Sequence, residues 1–544
     1  MNEWLMKRRG ILKSPAFFLT AGLLLYGALF RDNDSPPLLP SGAFLIALAL
    51  FMAVVLAAPG KRRLIAALYG AVGLGLLYCV YQTGHPYPAL LVLGLLPLVY
   101  AAVRLKRRGR LTDEKAALLL LLSAMLLRVI YVLYTSVLLR QYDVTYNGSG
   151  IGHIGYIQYI LENGFRFPAL DMDPRTVYQF YHPPLHHYIS AVFVKLRLLL
   201  GESMNNALEG LQSLMLFYSG VSLVAMYGLC REAGLKGRGL LTAFSLICFS
   251  PAFIMLSGSV NNDALMTMLA LLALLNAVRW YKAPSMGRIV WIALALAGAA
   301  LSKTSGLLIA PPIGFLFMMR FLKKGEKRAA LLRQFGVFLA VCVPLSLSYV
   351  LFCHFKYGMP LTYVARLSDD SSLYVGNFSV FQRLFCFDRA QLENTYVIRT
   401  GDHIEYNIFL SLFKHSLFGE FTLTDADGGA LRGASRLLLL TGFFLVGTLM
   451  VSLVRVSAVK IRRKGEALVP YLALQLCSVV LLGFFIKFCF DYPHFCTSNI
   501  RYVMLLIPVA SITIGLDEKG TRWRAGVVFV YCFLSAAQFI LLGL

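Results

Sequence analysis

Few side chains in this sequence are equipped for chemistry, and they lie far apart: Asp143, His153, His182, His186, His187, the Asn261-Asn262-Asp263 triplet, Lys303 and Arg501. Asp143 follows directly on an apolar run. Burial at such a half-dry boundary raises the pKa of a carboxylate toward the working range, where it can accept or orient a proton on a hydroxyl or amine. In open solvent the same residue is an ordinary loop aspartate, and position alone does not separate the two readings. Four of the nine histidines fall between positions 153 and 187. With Asp143 these imidazoles can ligate a metal, yet no HExxH motif or ligand pair on a firm helix accompanies them. Hydrogen bonding or plain interface polarity is the other reading.

His182 stands before Pro183-Pro184, and proline suits the first turn of a helix, so this histidine sits at a helix start. Asn261-Asn262-Asp263 opens an apolar run. These are ordinary N-cap residues, and a carboxylate suits the positive end of a helix. A site role for Asp263 can stand on top of capping. Lys303 and Arg501 fall on the side of the membrane that the other basic residues avoid. Each can be incidental there, but a lipid-linked phosphate needs a cation at that depth, and arginine offers a bidentate fork.

The elements that must position these groups are membrane-spanning helices. Of the 544 residues, 58% are hydrophobic and 14% charged, against roughly 45–50% and ~25% in a soluble domain. The apolar residues come in blocks of about 17–25, enough to cross a ~30 Å hydrocarbon layer as helices. Runs of helix length exclude an outer-membrane barrel, whose strands alternate over ~10 residues. The net charge of +24 would suggest nucleic acid in a soluble protein. Here the basic residues fill short connectors, where they set topology and face anionic lipid, and no nucleic-acid motif is present.

The spans expected are 15–30, 41–58, 64–81, 89–103, 116–139, 211–229, 240–256, 264–281, two within 289–321, 335–353, 437–454, 468–488, 502–516 and 525–544. That is about fifteen crossings, with the N-terminus inside and the C-terminus outside. Residues 183–200 are expected to lie along the outer surface as an amphipathic helix, with Lys195 and Arg197 snorkelling. Ser302-Lys303-Thr304 is the outer apex between the two short crossings. Lys7-Arg8-Arg9 before the first span reads as a signal anchor. The ten cysteines show no zinc spacing, and Cys386 and Cys496 fall in outward loops where they can pair.

In order and sidedness, several of these pieces together resemble the GT-C superfamily of glycosyltransferases. They are Tyr142-Asp143, His182-Pro183-Pro184-Leu185, Asn262-Asp263, Ser302-Lys303-Thr304 and Asn499-Ile500-Arg501-Tyr502. The likeness is to the bacterial branch near the protein O-mannosyltransferases (family 39-type) and the aminoarabinose transferases. It implies an all-α polytopic fold with a seven-helix catalytic module and surface helices on its outer face. The boundaries expected are a four-span N-terminal addition (1–110), the module (111–353, first outer loop 140–210), a large extracytoplasmic loop (354–436) and C-terminal helices (437–544).

The resemblance further implies sugar transfer from a polyprenyl-phosphate donor by one inverting displacement, outside the cytoplasmic membrane of a bacterium. The acceptor is a lipid, protein or glycan. Asp143 would activate or orient it, and Asp263 would be a second essential carboxylate. His153, His182, Lys303 and Arg501 would bind substrate, with His182 beside the phosphate. Two positions depart from the family pattern: Asp143 is followed by Val144 rather than a second carboxylate, and Tyr181-His182 replaces an acidic or Glu-Lys pair before Pro-Pro. No cofactor is required by the residues, and the departures leave a divalent metal open. The other classes weighed are a transporter or flippase, which should carry ionisable residues mid-span, and a non-catalytic assembly partner.

Overall fold

The computed structural model describes residues 86–139, 143–144, 152–166, 171–420, 423, 429–463, 465, 467–519 and 521–543. The spans expected at 15–30, 41–58 and 64–81 lie outside these. Among the described residues every regular element is a helix, apart from one isolated bridge between Tyr374 and His494. Eight helices among the described residues are long and apolar enough to cross a membrane. A ninth span is completed if Phe495–Val503 and Leu506–Leu516, bent by 56°, count as one. The protein is therefore an all-α, multi-pass membrane protein.

In chain order the main helices are α1 (Pro86–Arg107), α2 (Asp113–Tyr134), α3 (His153–Glu162), α4 (Leu185–Leu199) and α5 (Leu211–Glu232). Then come α6 (Gly237–Cys248), α7 (Asn262–Lys282), α8 (Met286–Ser302), α9 (Ala310–Phe321) and α10 (Arg328–Tyr357). The last are α11 (Ile408–Phe418), α12 (Gly429–Arg463), α13 (Leu468–Asp491), α14 (Leu506–Leu516) and α15 (Thr521–Leu542). Helix α7 packs between α5 and α8, and α8 packs on α10. Helix α6 lies against α2, α14 and α15, α9 lies on α13, and α12 lies on α15.

One expected span takes a different form. The run at 240–256 is not one helix: α6 stops at Cys248 and a short helix, Pro251–Leu256, follows. Pro251 has no N–H to continue the ladder, so the last carbonyls of α6 need other donors. Arg128, fully buried inside α2, supplies one, donating from Nη1 to the Cys248 carbonyl at 2.8 Å and to Ala124 at 3.0 Å. The stretch 289–321 does break at Lys303, between α8 and a 3-10 turn at Thr304–Ile309.

Helix α4 is 15 residues long, a rise of about 22 Å, short of a full crossing. Its exposed side carries Val192, Leu196 and Leu199, while His186, His187 and Ser190 are buried. That inverted arrangement suits a helix lying against lipid. Arg197 departs from the snorkelling expected of it. It is turned inward, where Nη2 meets Glu202 at 2.6 Å.

The start of α7 meets the end of α8 through Asp263 and Lys303. At the other end of α7 lie the basic connectors at 279–288 and 323–328, joined where Arg320 donates to the Tyr281 carbonyl and pairs with Glu326. There Asp113 accepts from the Gly237 N–H at 2.6 Å, and Glu232 holds Lys282 at 2.7 Å and Arg279 at 3.0 Å.

Helices α6 and α14 approach so closely that a Cβ on Gly239 would stand 2.4 Å from the Gly515 carbonyl oxygen, and one on Gly515 would stand 2.6 Å from that of Gly239. Backbone cannot step aside as a flexible side chain can. Gly239→Ala or Gly515→Ala is therefore expected to cost about 1–3 kcal/mol, an overpacking penalty. Thermal unfolding in detergent should show a lower midpoint for both. Gly336→Ala, which meets nothing within 4 Å, should leave it unchanged or raised.

Candidate active site

Asp143 is placed by the start of α3. The first N–H groups of that helix need acceptors, and those of His153 and Ile154 donate to the carbonyls of Asp143 and Val144 at 3.0 and 3.1 Å. Gly152 makes the approach feasible. Its φ is +108°, and a Cβ there would stand 2.7 Å from the Asp143 carbonyl oxygen. Asp143 itself has φ +55°, a left-handed conformation that aspartate tolerates better than most residues. Its carboxylate takes a hydrogen bond from the Tyr178 hydroxyl at 3.0 Å and pairs with Nη1 of Arg501. Burial pushes the Asp143 carboxyl upward, but Arg501 and Tyr178 together hold it below its ordinary value.

Arg501 lies in the 3-10 turn Ile500–Val503, before the bend into α14. Its guanidinium carbon sits 5.0 Å from the ring centre of Tyr502, and Lys303 Nζ sits 4.9 Å from the same ring. Lys303 donates to Asp263 Oδ1 at 2.7 Å. The turn that presents Lys303 folds back tightly, because Gly306 lets the backbone rest on Ala299, where a Cβ would be 2.6 Å from the carbonyl carbon.

The N-cap of α7 is Asn261, which accepts from the Asp263 N–H at 3.1 Å. Asp263 is thus left for Lys303. Nearby, both amide atoms of Asn262, Oδ2 of Asp263 and the Thr267 hydroxyl are buried with no hydrogen-bond partner in the structure.

The histidines do gather. His153 Nδ1 is 2.9 Å from His187 Nε2, and the His153 ring lies 6.2 Å from His182 and 6.4 Å from His186, centre to centre. Burial pushes all four imidazoles below their ordinary value, His186 to about 3, with Lys303 adding to the effect on His153 and His182. This favours the neutral form over the cation; His153 and His187 share a hydrogen bond, while neither ring nitrogen of His186 meets a partner.

The structure therefore brings Asp143, Arg501, Lys303 and Asp263 into one continuous run of contacts through Tyr502. His153 and His182 lie close enough to feel the charges of both Lys303 and Arg501.

One participant had gone unnoticed. Glu420, 4% exposed, accepts from Asn499 Nδ2 at 3.2 Å, and the same asparagine accepts from the Arg501 N–H at 3.1 Å. Burial raises Glu420 to about 7, against the pull of Arg501. The signal in the sequence was a lone carboxylate in the apolar run Leu417-Phe418-Gly419-Glu420-Phe421.

Helix α11 carries Glu420 to this place and is itself tightly held. The N-cap Asn407 accepts from Phe409 and Leu410. Lys414, fully buried, pairs with Glu405 and donates to the Gln391 and Tyr396 carbonyls at 2.5 and 3.1 Å. The Ser411 and Ser498 hydroxyls meet at 2.6 Å. Cys386 and Cys496 are both free thiols, so the pairing considered for them is not made.

Among the described residues no three His, Cys, Asp or Glu side chains are placed to share an ion. Asp143 and Asp263 each already face a cation. This donor set does not fit a divalent metal, and no step is assigned to one.

Fold and site together define a multi-pass helical membrane protein that collects buried charges at one end of its bundle, outside the hydrophobic stretches. Residues 181–348 match the model of the dolichyl-phosphate-mannose-protein mannosyltransferase family, so the GT-C likeness read in the motifs holds over that segment. No curated protein is similar enough to register a match.

Among solved structures, the protein O-mannosyltransferase Pmt1–Pmt2 complex of S. cerevisiae bound to the sugar donor is 16% identical. The match covers 47% of this chain and 35% of that one, at a TM-score of 0.33. The oligosaccharyltransferase AglB of Archaeoglobus fulgidus, with an inhibitory peptide and a dolichol-phosphate, is 15% identical. It covers 78% of this chain and 56% of that one, at a TM-score of 0.45. The chain thus spans from about a third to just over half of the length of these structures.

Glu420 gives the site a pH signature. An ordinary glutamate titrates near 4.5 and this one near 7. Between those values the folded state holds a proton that the unfolded chain has lost. Its contribution to stability is complete below about pH 4.5 and is lost as pH rises through 7. The loss amounts to up to about 3 kcal/mol. Thermal midpoints in detergent from pH 5 to 8 should fall less steeply for Glu420→Gln than for the native chain.

Proposed function

We propose that this protein is an integral-membrane glycosyltransferase that moves a sugar from a polyprenyl-phosphate carrier to an acceptor on the extracytoplasmic face. The observation that carries the reading is the joining of Asp143, Arg501, Tyr502, Lys303 and Asp263, drawn from four remote segments, beside His182 at one end of the bundle. The family matched over 181–348 is named for a dolichyl-phosphate mannose donor and a protein acceptor, which supports a lipid-phosphate sugar donor here.

In the reaction the acceptor oxygen attacks the anomeric carbon. The bond from that carbon to the phosphate oxygen breaks, its electron pair leaves with the phosphate, and the sugar inverts. Asp143, ionised beside Arg501, orients the acceptor hydroxyl and takes its proton as the new bond forms. Arg501 and Lys303, on either side of the Tyr502 ring, can together stabilise the departing phosphate charge. The neutral His153 and His182 can hydrogen-bond the sugar or phosphate without adding charge. The unpartnered atoms of Asn262, Asp263 and Thr267 are buried polar groups of the kind a polar ligand satisfies.

The transporter reading looks for ionisable groups within the spans. Arg128 is one, but it is committed to the Ala124 and Cys248 carbonyls and the Ser219 hydroxyl, which makes it a structural tie.

The test is transfer from a panel of radiolabelled polyprenyl-phosphate sugars in membranes. Asp143→Asn should lower transfer by about 100-fold or more while holding or tightening donor binding, because it releases Arg501. Arg501→Gln should weaken donor binding by about 10- to 100-fold. Unchanged transfer by the Asp143→Asn protein would remove the assignment.

Sidedness is tested separately, with Cys386 and Cys496 replaced by serine. An impermeant maleimide should label Ser372→Cys in intact cells and Arg462→Cys only after permeabilisation.

A further inference from the structure

A second site lies at the opposite end of the bundle from Arg501. Helices α12 and α15 leave between them a groove of about 680 Å³. One wall is the face of α12 bearing Leu440, Phe444, Val451 and Arg455, and Trp523 at the start of α15 closes the other side. From Leu440 to Arg455 that face rises about 22 Å, more than one leaflet of a ~30 Å hydrocarbon layer. The apolar residues fill most of this length, and the charge is confined to one end.

That end is built from a fixed carboxylate and three cations. Asp517, at the end of α14, pairs with the buried Arg524 and accepts from the Ser452 hydroxyl at 3.1 Å and the Lys519 N–H at 3.2 Å. Arg524 neutralises it. Arg455 stands 3.8 Å from the same carboxylate with half of its side chain exposed. Lys519 is exposed at the rim. Of the residues lining the groove, Arg455 and Lys519 are two positive charges beyond the Asp517–Arg524 pair, with Glu518 outside the lining; they stand beside a tryptophan at the mouth of an apolar channel. Tryptophan is enriched at membrane–water interfaces, and basic side chains there attract anionic headgroups.

We infer that this groove is a binding site for an anionic glycerophospholipid, its phosphodiester held by Arg455 and Lys519 and one acyl chain lying along α12 against Phe444 and Trp523. Charge selects this occupant over a zwitterionic lipid, which would bring its own cation to a cationic rim. The length and apolarity of the channel select it over a free phosphate. The inference does not rest on the transferase reading. None of its residues belongs to the Asp143–Arg501 cluster, and α14 separates the two sites.

Trp523 is the built-in reporter. The full chain is placed in phosphatidylcholine bilayers containing increasing fractions of brominated-chain phosphatidylglycerol or brominated-chain phosphatidylcholine. The Trp523 signal is taken as the difference between the native chain and Trp523→Phe, since Trp291 is also exposed on the surface. Half-quenching of Trp523 is expected at a mole fraction at least fivefold lower for the anionic lipid. The preference should vanish in the Arg455→Gln, Lys519→Gln double variant, whose two side chains are exposed and bear no fold.

Equal quenching by the two lipids in the native chain would overturn the inference, as would a preference that survives the double substitution. Millimolar glycerol phosphate should leave the preference intact. Its abolition would mean a headgroup ion site without an acyl subsite, and would also overturn the proposal.

Discussion

The pairing of Asp143 with Arg501 joins residues 358 positions apart, and this end of the bundle is arranged so that it can form. Removing a charge pair from water is expensive unless the remaining donors and acceptors are satisfied. Tyr178 takes the second oxygen of Asp143, Asn499 fixes the backbone at Arg501, and Tyr502 lies against both Arg501 and Lys303. Losing either partner would strand the other in a half-dry environment. The segment around Asp143 and the segment before α14 are therefore energetically one unit, although the whole bundle separates them in sequence.

Interruptions of helices supply the groups that meet there. Lys303 stands where α8 stops, Asp263 where α7 starts, and Arg501 where the chain bends into α14. In lipid a backbone break is tolerated only where its carbonyls and N–H groups find partners. Such breaks accordingly collect where polar side chains are already present. Arg128 shows the same rule inside the layer, since it meets the carbonyl that the Pro251 break would leave bare. Lys414 shows it outside, held by Glu405 and two carbonyls beneath α11.

Much of this was legible in the sequence because apolar length is a strong signal. The all-helical, multi-span class follows from it. Proline before the start of α4 and asparagine before the start of α7 were readable too, because capping is local chemistry. What was not legible depended on contact between distant segments. Periodicity cannot see that Arg197 finds Glu202 and turns inward, or that α11 delivers Glu420 to Asn499. Nor does hydropathy distinguish one span at 240–256 from a helix, a proline break and a second short helix. Both have the same apolar content, and only the buried Arg128 tells them apart.

The glycine contact between α6 and α14 reaches beyond stability. Helix α14 runs about 16 Å from Leu506 to Leu516, with Arg501 just ahead of its near end and the Gly239–Gly515 contact at its far end. A backbone-to-backbone contact leaves no side chain to absorb a shift, so a larger residue at either glycine would displace α14 as a body. The seat of α14 behind Arg501 is thus set partly by two residues without side chains that touch nothing reactive.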